Sequence, residues 1–137
     1  MNFFFQILFI LFFCSCVDSK KDLHLSLIDN GSELTVIGDE LINFGELIEG
    51  ELVDIEFIVK NTGTGDLIIS KVSASCGCTD LVYPSDIIEV GESQIIKVTF
   101  DSKDRIGQQT KNITVVSNAT PNIKILTIQG NISPVKN

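Results

Sequence analysis

Two cysteines, Cys76 and Cys78, stand one residue apart in the segment Ser-Cys-Gly-Cys-Thr, and these thiols are the side chains best suited to chemistry. In an exported protein such a pair can form a disulfide, which would close a three-residue ring and contribute only about 1.5 kcal/mol of stability. A bond of this kind is a poor staple but is open to exchange, and two free thiolates would suit Cu(I). Three hypotheses stay open: a packed strand end with a bulge at Gly77, a reversible redox pair, and a copper site.

Few other residues could form a catalytic or metal site with these thiols. The chain has one histidine, His24, and its only methionine is Met1, so a zinc site would lack its remaining ligands. No serine lies in a nucleophile-elbow motif. One stretch is rich in carboxylates that strand alternation places mostly in solvent, namely Glu46, Glu49, Glu51, Asp54 and Glu56. The sequence therefore predicts a protein that is not an enzyme and that holds no cofactor, with Cu(I) as the alternative.

Charge and length exclude further classes of protein. The chain has 137 residues and a net charge of −8, with no cluster of Lys or Arg. Phosphate-backbone binding depends on such clusters, so we expect no nucleic acid partner. The length allows one ordinary domain.

The N-terminus has the features of an export signal. An apolar run of twelve residues, Phe3 to Cys14, is interrupted only by Gln6, and it is too short for the roughly 20 residues of a membrane-spanning helix. Cys16 follows the small residue Ser15, as in the lipidation site of bacterial lipoproteins, whereas Cys14 follows the bulky Phe13. We therefore predict a signal peptide over residues 1–15, lipidation of Cys16, and a tether with a possible extra hairpin over residues 16–34.

The body of the chain has the two-residue period of β-strands. Apolar residues alternate with polar ones at Val53, Ile55, Phe57 and Val59, and short runs of this kind recur between Gly- and Asn-containing turns. Further strands are predicted at 34–36, 41–45, 67–75, 87–90, 96–100, 113–115 and 126–132, and residues 101–108 are predicted to be a loop. This pattern predicts an all-β, immunoglobulin-like antiparallel β-sandwich of seven to nine strands over residues 35–133. Phe44, Phe57 and Phe100 are its expected large core residues.

A set of residues in fixed order connects this pattern to a known family. They are Phe44, Gly45, Gly50, Phe57, Asn61, Thr62, Gly63, Leu67, Ser75 to Thr79, Pro84, Gly91, Gly107, Lys111, Asn118 and Gly130. Together they resemble the bacterial domain-of-unknown-function 1573 family over about residues 41 to 132. The resemblance implies an immunoglobulin-like domain of the Hydin and major-sperm-protein type, of the kind found on exported proteins and lipoproteins of Bacteroidota. The family name supplies no activity.

These observations lead to one principal hypothesis and one alternative. The chain is expected to be an exported, non-catalytic lipoprotein of the cell envelope whose immunoglobulin-like module binds or scaffolds an envelope protein. Its membrane partner would be held through the lipid, and its protein partner through loops, a sheet face or a sheet edge. The alternative is an envelope thiol-redox or copper-handling protein that uses Cys76 and Cys78.

Overall fold

Alternation of apolar and polar side chains produces only β-strands in the part of the chain that is described. The computed structural model describes residues 31–136. Its strands are β1 (Leu34–Ile37), β2 (Leu41–Ile48), β3 (Leu52–Asn61), β4 (Ile69–Ala74), β5 (Thr79–Val82), β6 (Ser93–Asp101), β7 (Gly107–Ser117) and β8 (Ile123–Ser133). The predicted signal peptide, Cys16, His24 and most of the predicted tether lie outside the described residues.

The strands form two sheets of four, in the orders β1-β3-β6-β5 and β2-β8-β7-β4. The predicted all-β sandwich, with seven to nine strands, is therefore confirmed. Five of the six strand pairings are antiparallel, but β2 and β8 run parallel, so the expectation of a wholly antiparallel sandwich is wrong at this edge. The alternation of apolar and polar residues predicts a strand but not the direction in which it runs. After β1 the chain crosses to the other sheet, where β2 forms the edge and runs in the same direction as β8.

The core consists of the side chains that point inward from both sheets. In one sheet Phe57 of β3 lies opposite Ile96 of β6, and both are almost fully buried. Phe100 is fully buried, and its ring stacks on that of Phe44 from the opposite sheet with centroids 5.4 Å apart. Phe44 is only partly buried, so of the three expected core aromatics it lies at the margin. Gly130 makes room for it, because a Cβ at this glycine would overlap the Phe44 ring.

The structure corrects three of the predicted boundaries. The segment 87–90 is not a strand; Ile88 makes a single bridge to Leu67. A strand that was not predicted, β5, follows the cysteines at Thr79–Val82. The predicted loop at 101–108 is shorter, since β7 begins at Gly107. Each error concerns a short segment, in which two or three alternating residues cannot define a period.

The Asn-Thr-Gly segment holds a turn together from inside the domain. Asn61 is completely buried, and its Nδ2 donates to the carbonyl oxygens of Gly65 at 2.8 Å and Ile88 at 2.9 Å. Its Oδ1 accepts from the N–H of Gly63 at 3.1 Å. Because a Cβ at Gly63 would overlap the backbone of residues 31–33, Asn61 and Gly63 both serve the fold.

Replacing the buried amide of Asn61 should destabilise the fold. We expect Asn61→Ala to lower the free energy of unfolding by about 3 kcal/mol, because a completely buried side chain loses its hydrogen bonds to Gly65, Ile88 and Gly63, although the carbonyl of Ile88 keeps the N–H of Leu67. Urea denaturation measures the change. The matched control is Gln108→Ala, an exposed amide without a hydrogen bond of its side chain to the described residues, for which we expect a change within about 0.5 kcal/mol. Equal effects of the two substitutions would contradict the assigned role of Asn61.

Candidate functional site

The Cys-Gly-Cys segment lies where the chain crosses from one sheet to the other. It joins the end of β4 at Ala74 to the start of β5 at Thr79, and these strands are edges of opposite sheets. Cys76 and Cys78 are joined by a disulfide, with their Cα atoms 5.3 Å apart. Three hypotheses were given for this pair. In the structure the two sulfurs form a disulfide bond, the state that the redox hypothesis requires.

Backbone hydrogen bonds fix both ends of this crossing to both sheets. The N–H of Ser75 donates to the carbonyl of Asn112 in β7 at 2.9 Å, and the Oγ of Ser75 accepts from the N–H of Asn112 at 3.2 Å. On the other side, the N–H of Asp101 in β6 donates to the carbonyl of Cys78 at 2.9 Å. The crossing is therefore anchored independently of the disulfide, which agrees with the small contribution expected of a three-residue ring.

The two cysteines differ in burial. Cys78 is 7% exposed and belongs to the core, whereas Cys76 is only partly buried. The hydroxyl of Thr79 lies 3.4 Å from the Sγ of Cys76 and 3.9 Å from the Sγ of Cys78. Cys76 is accordingly the cysteine that a thiolate from solvent reaches first, and Cys78 is the small buried residue that the packing hypothesis anticipated.

The carboxylates singled out in the sequence lie mostly exposed on the surface. Glu46 accepts hydrogen bonds from Asn131, and Glu51 accepts one from the N–H of Ile48. Within residues 31–136, no group of three or more His, Cys, Asp or Glu side chains could hold a metal ion. Cu(I) binding at Cys76 and Cys78 would first require reduction of their disulfide.

One exposed ion pair shifts the pKa values of both of its members. Lys97 donates to Asp54 at 2.8 Å, and Thr99 donates to the same carboxylate at 2.6 Å. These hydrogen bonds, that of Lys97 first, lower the pKa of Asp54, and the bond to Asp54 raises the pKa of Lys97. Stabilisation from the depressed carboxyl pKa is present above its unfolded value and is lost as pH falls through the folded value, but solvent screening keeps it small.

A groove along the edge of β1 was not anticipated. Its volume is about 190 Å³, and it is lined by residues 33–36 together with Glu40, Thr120, Pro121, Ile123 and Lys124. The ion pair of Lys124 with Glu40, at 2.6 Å, closes one side. No motif marks such a groove, because it arises from the free side of a strand and from a turn that is distant in sequence.

The free side of β1 follows from its hydrogen bonds. The carbonyls of Gly31 and Glu33 accept from the N–H groups of Thr64 and Thr62, so alternate residues face the neighbouring chain. The carbonyl of Ser32 instead accepts from Thr120 on the opposite side, at 3.3 Å. The same alternation directs the N–H and C=O groups of residues 34 and 36 away from β3.

The part of the chain that is described contains no helix long and apolar enough to cross a membrane.

Comparison with known proteins identifies a family and supports the fold. The family model described as "Protein of unknown function (DUF1573)" matches residues 35–132. No curated protein matches the chain in sequence.

Solved structures with this fold share little sequence with the chain. A protein of unknown function from Porphyromonas gingivalis has a TM-score of 0.64 at 15% identity, over 73% of this chain and 46% of its own, so the present chain spans about half of that protein. The PapD-like domain 7 of human CEP192 has a TM-score of 0.63 at 13% identity, over 77% of this chain and 89% of its own. The VesB protease of Vibrio cholerae has a TM-score of 0.55 at 14% identity, over 82% and 34%. At these identities the likeness concerns the fold alone.

Proposed function

The chain belongs to the DUF1573 family of proteins of unknown function. We propose that it is a non-catalytic binding or scaffolding module anchored to the bacterial cell envelope by a lipid on Cys16. Its partner would be an envelope protein of the exporting bacterium, which we place among the Bacteroidota. The immunoglobulin-like sandwich presents surfaces to that partner, and the proposal includes no turnover of a substrate.

The observation that carries the proposal is the edge of β1 beside the groove, which pairs with no further strand among the described residues. The N–H and C=O groups of Leu34 and Val36 face the groove, where an extended segment can add as a further strand. Main-chain hydrogen bonds would supply affinity, and the apolar wall at Ile123 would favour apolar side chains at alternate positions of that segment. The occupant we propose is therefore an extended, alternately apolar segment of an envelope protein.

The polar residues most characteristic of the sequence support a role without catalysis. The buried side chains of Asn61 and Ser102 are fully engaged with backbone groups: Ser102 donates from Oγ toward the carbonyls of Ile48 and Glu51. Such groups stabilise the sandwich and are not available as a general base or a nucleophile. What remains for function is the outside of the two layers.

Anchoring at Cys16 predicts a specific loss. We expect Cys16→Ser to abolish incorporation of radiolabelled palmitate, because the lipid is attached to this sulfur. The matched control, Cys14→Ser, should keep the label, since Cys14 leaves with the signal peptide. Equal labelling of both variants, or none in the unaltered chain, would overturn the anchoring proposal.

Strand addition at β1 predicts sensitivity to proline. Val36→Pro removes an N–H that points into the groove while leaving the hydrogen bonds to β3 intact, because proline is tolerated at sheet edges with this orientation. We expect at least a tenfold loss of the partner cross-linked to the full chain in intact cells, with an unchanged circular dichroism spectrum. Val36→Thr keeps the N–H and should retain the partner. Equal cross-linking of the proline and threonine variants would exclude strand addition here.

A second candidate function is thiol exchange, which the Cys76–Cys78 disulfide favours. A thiolate of a partner dithiol protein would attack the Sγ of Cys76, and the Cys76–Cys78 bond would break, leaving Cys78 to take up a proton. The second thiolate of the partner then attacks the mixed disulfide and releases Cys76. Two electrons thus pass to this chain and the partner dithiol becomes a disulfide.

The difference in burial gives this candidate its test. In the Cys78→Ser variant the remaining Cys76 should form a mixed disulfide with oxidised glutathione at least tenfold faster than Cys78 does in the Cys76→Ser variant, as measured by mass spectrometry. Reduction of the unaltered chain should lower the free energy of unfolding by no more than about 1.5 kcal/mol. Equal reactivity of the two variants, or unfolding on reduction, would make the disulfide a structural element only.

A further inference from the structure

Three isoleucines form an exposed row across the outer face of the sheet that contains β3. Ile37 of β1 lies opposite Ile58 of β3, and Ile58 lies opposite Ile95 of β6. Their exposed fractions are 47%, 43% and 48%. Each follows or precedes an inward-facing apolar residue, so each occupies a position where strand alternation predicts a polar side chain.

The outer face of the other sheet has no comparable row among the described residues. There Asn43, Gln129 and Thr110 lie side by side across three strands. Ile123 and Ile125 are 51% and 44% exposed on that face, but they follow one another along β8, and the neighbour of Ile125 on β7 is Thr114. An isoleucine row across three strands is thus confined to one face of the described residues, and contiguous apolar side chains mark an interaction surface more than single ones do.

Opposite charges flank the centre of the row at equal distances. Along β3, Glu56 and Lys60 are two residues before and two residues after Ile58, and all three side chains point to the same face. Lys97, opposite Glu56, is already held by Asp54 at 2.8 Å, whereas Lys60 has no ion pair with the described residues. The face therefore carries Glu56 on one side of the row and Lys60 on the other.

From this arrangement we infer that the row is a self-association surface, on which a second copy of this chain packs face to face about a two-fold axis that runs along Ile37, Ile58 and Ile95. About that axis each isoleucine meets its own copy, and Lys60 of one molecule meets Glu56 of the other. A two-fold axis along the strands would instead set Lys60 against Lys60 and Glu56 against Glu56. The charges therefore make the face complementary to a second copy of itself in this orientation.

The expected strength of this contact is low. Three half-exposed isoleucines per copy amount to much less than the roughly 800 Å² per partner of a standard interface. Sheets packed face to face lie about 10 Å apart, which is within the joint reach of a lysine and a glutamate side chain. A weak pairing oriented by charge is consistent with both observations.

The axis places residue 58 of one copy directly opposite residue 58 of the other, which allows a direct test in the full chain. With Ile58→Cys in intact cells, a bismaleimide should link two copies into a species of twice the mass, at least fivefold more than with Ile125→Cys, the matched isoleucine of the other face. A cross-link to a protein of different mass, or equal yields for the two variants, would overturn the inference.

Charge reversal separates self-association from loss of the fold. Added to Ile58→Cys, Lys60→Glu sets two carboxylates against each other and should reduce the cross-linked dimer at least fivefold. Adding Glu56→Lys to Lys60→Glu restores opposite charges and should restore the dimer. Failure of the double reversal to restore it, with both variants folded by circular dichroism, would also overturn the inference. The test is independent of the lipid and of the β1 groove, so its failure would leave the proposed function standing.

Discussion

Burial of alternate side chains between two layers governs what every other residue of this domain can do. Phe57, Ile96 and Phe100 point inward, and the removal of their apolar surface from water supplies a driving force for folding. The inner positions are filled mainly by aliphatic and aromatic side chains, and Cys78 is the reactive group among them, at the margin of the core. The edges, the outer faces and the crossings between sheets are the parts left for partners, which is why each functional proposal above is located on one of them.

Two asparagines singled out in the sequence, Asn61 and Asn118, also stabilise the sandwich. Asn61 satisfies two carbonyls inside a turn, and the Oδ1 of Asn118 accepts from the N–H of Ile68 at 2.8 Å while its Nδ2 donates to the carbonyl of Asp66 at 2.9 Å. Turns in a sandwich leave backbone groups near the interior, and short amide side chains supply the missing partners without adding charge. Residues of this kind stabilise the fold.

The sequence predicted most of the architecture, and its failures have physical causes. Long alternating segments such as Val53 to Val59 gave the right strands because each inward residue is separately buried. Direction and short-range order were beyond this method: β2 joins β8 in parallel, and the four residues of β5 follow directly after a turn. The proximity of Cys76 to Cys78 was foreseen as one of several hypotheses, since spacing alone does not decide whether a glycine allows two sulfurs to meet. The groove beside β1 could not be foreseen, because it joins segments more than 80 residues apart.

The length of β3 sets a distance between the two ends of the domain. Gly31 and Thr64 are hydrogen-bonded to each other at one end of the domain. At the other end, the carbonyl of Cys78 accepts a hydrogen bond from the N–H of Asp101, which lies opposite Leu52, the first residue of β3. Ten residues of strand at about 3.3 Å each separate these ends by roughly 30 Å. The disulfide therefore lies at the end of the domain opposite to Gly31, where the described part of the chain begins, so a thiol that attacks Cys76 approaches the end remote from the attachment point of the N-terminal segment.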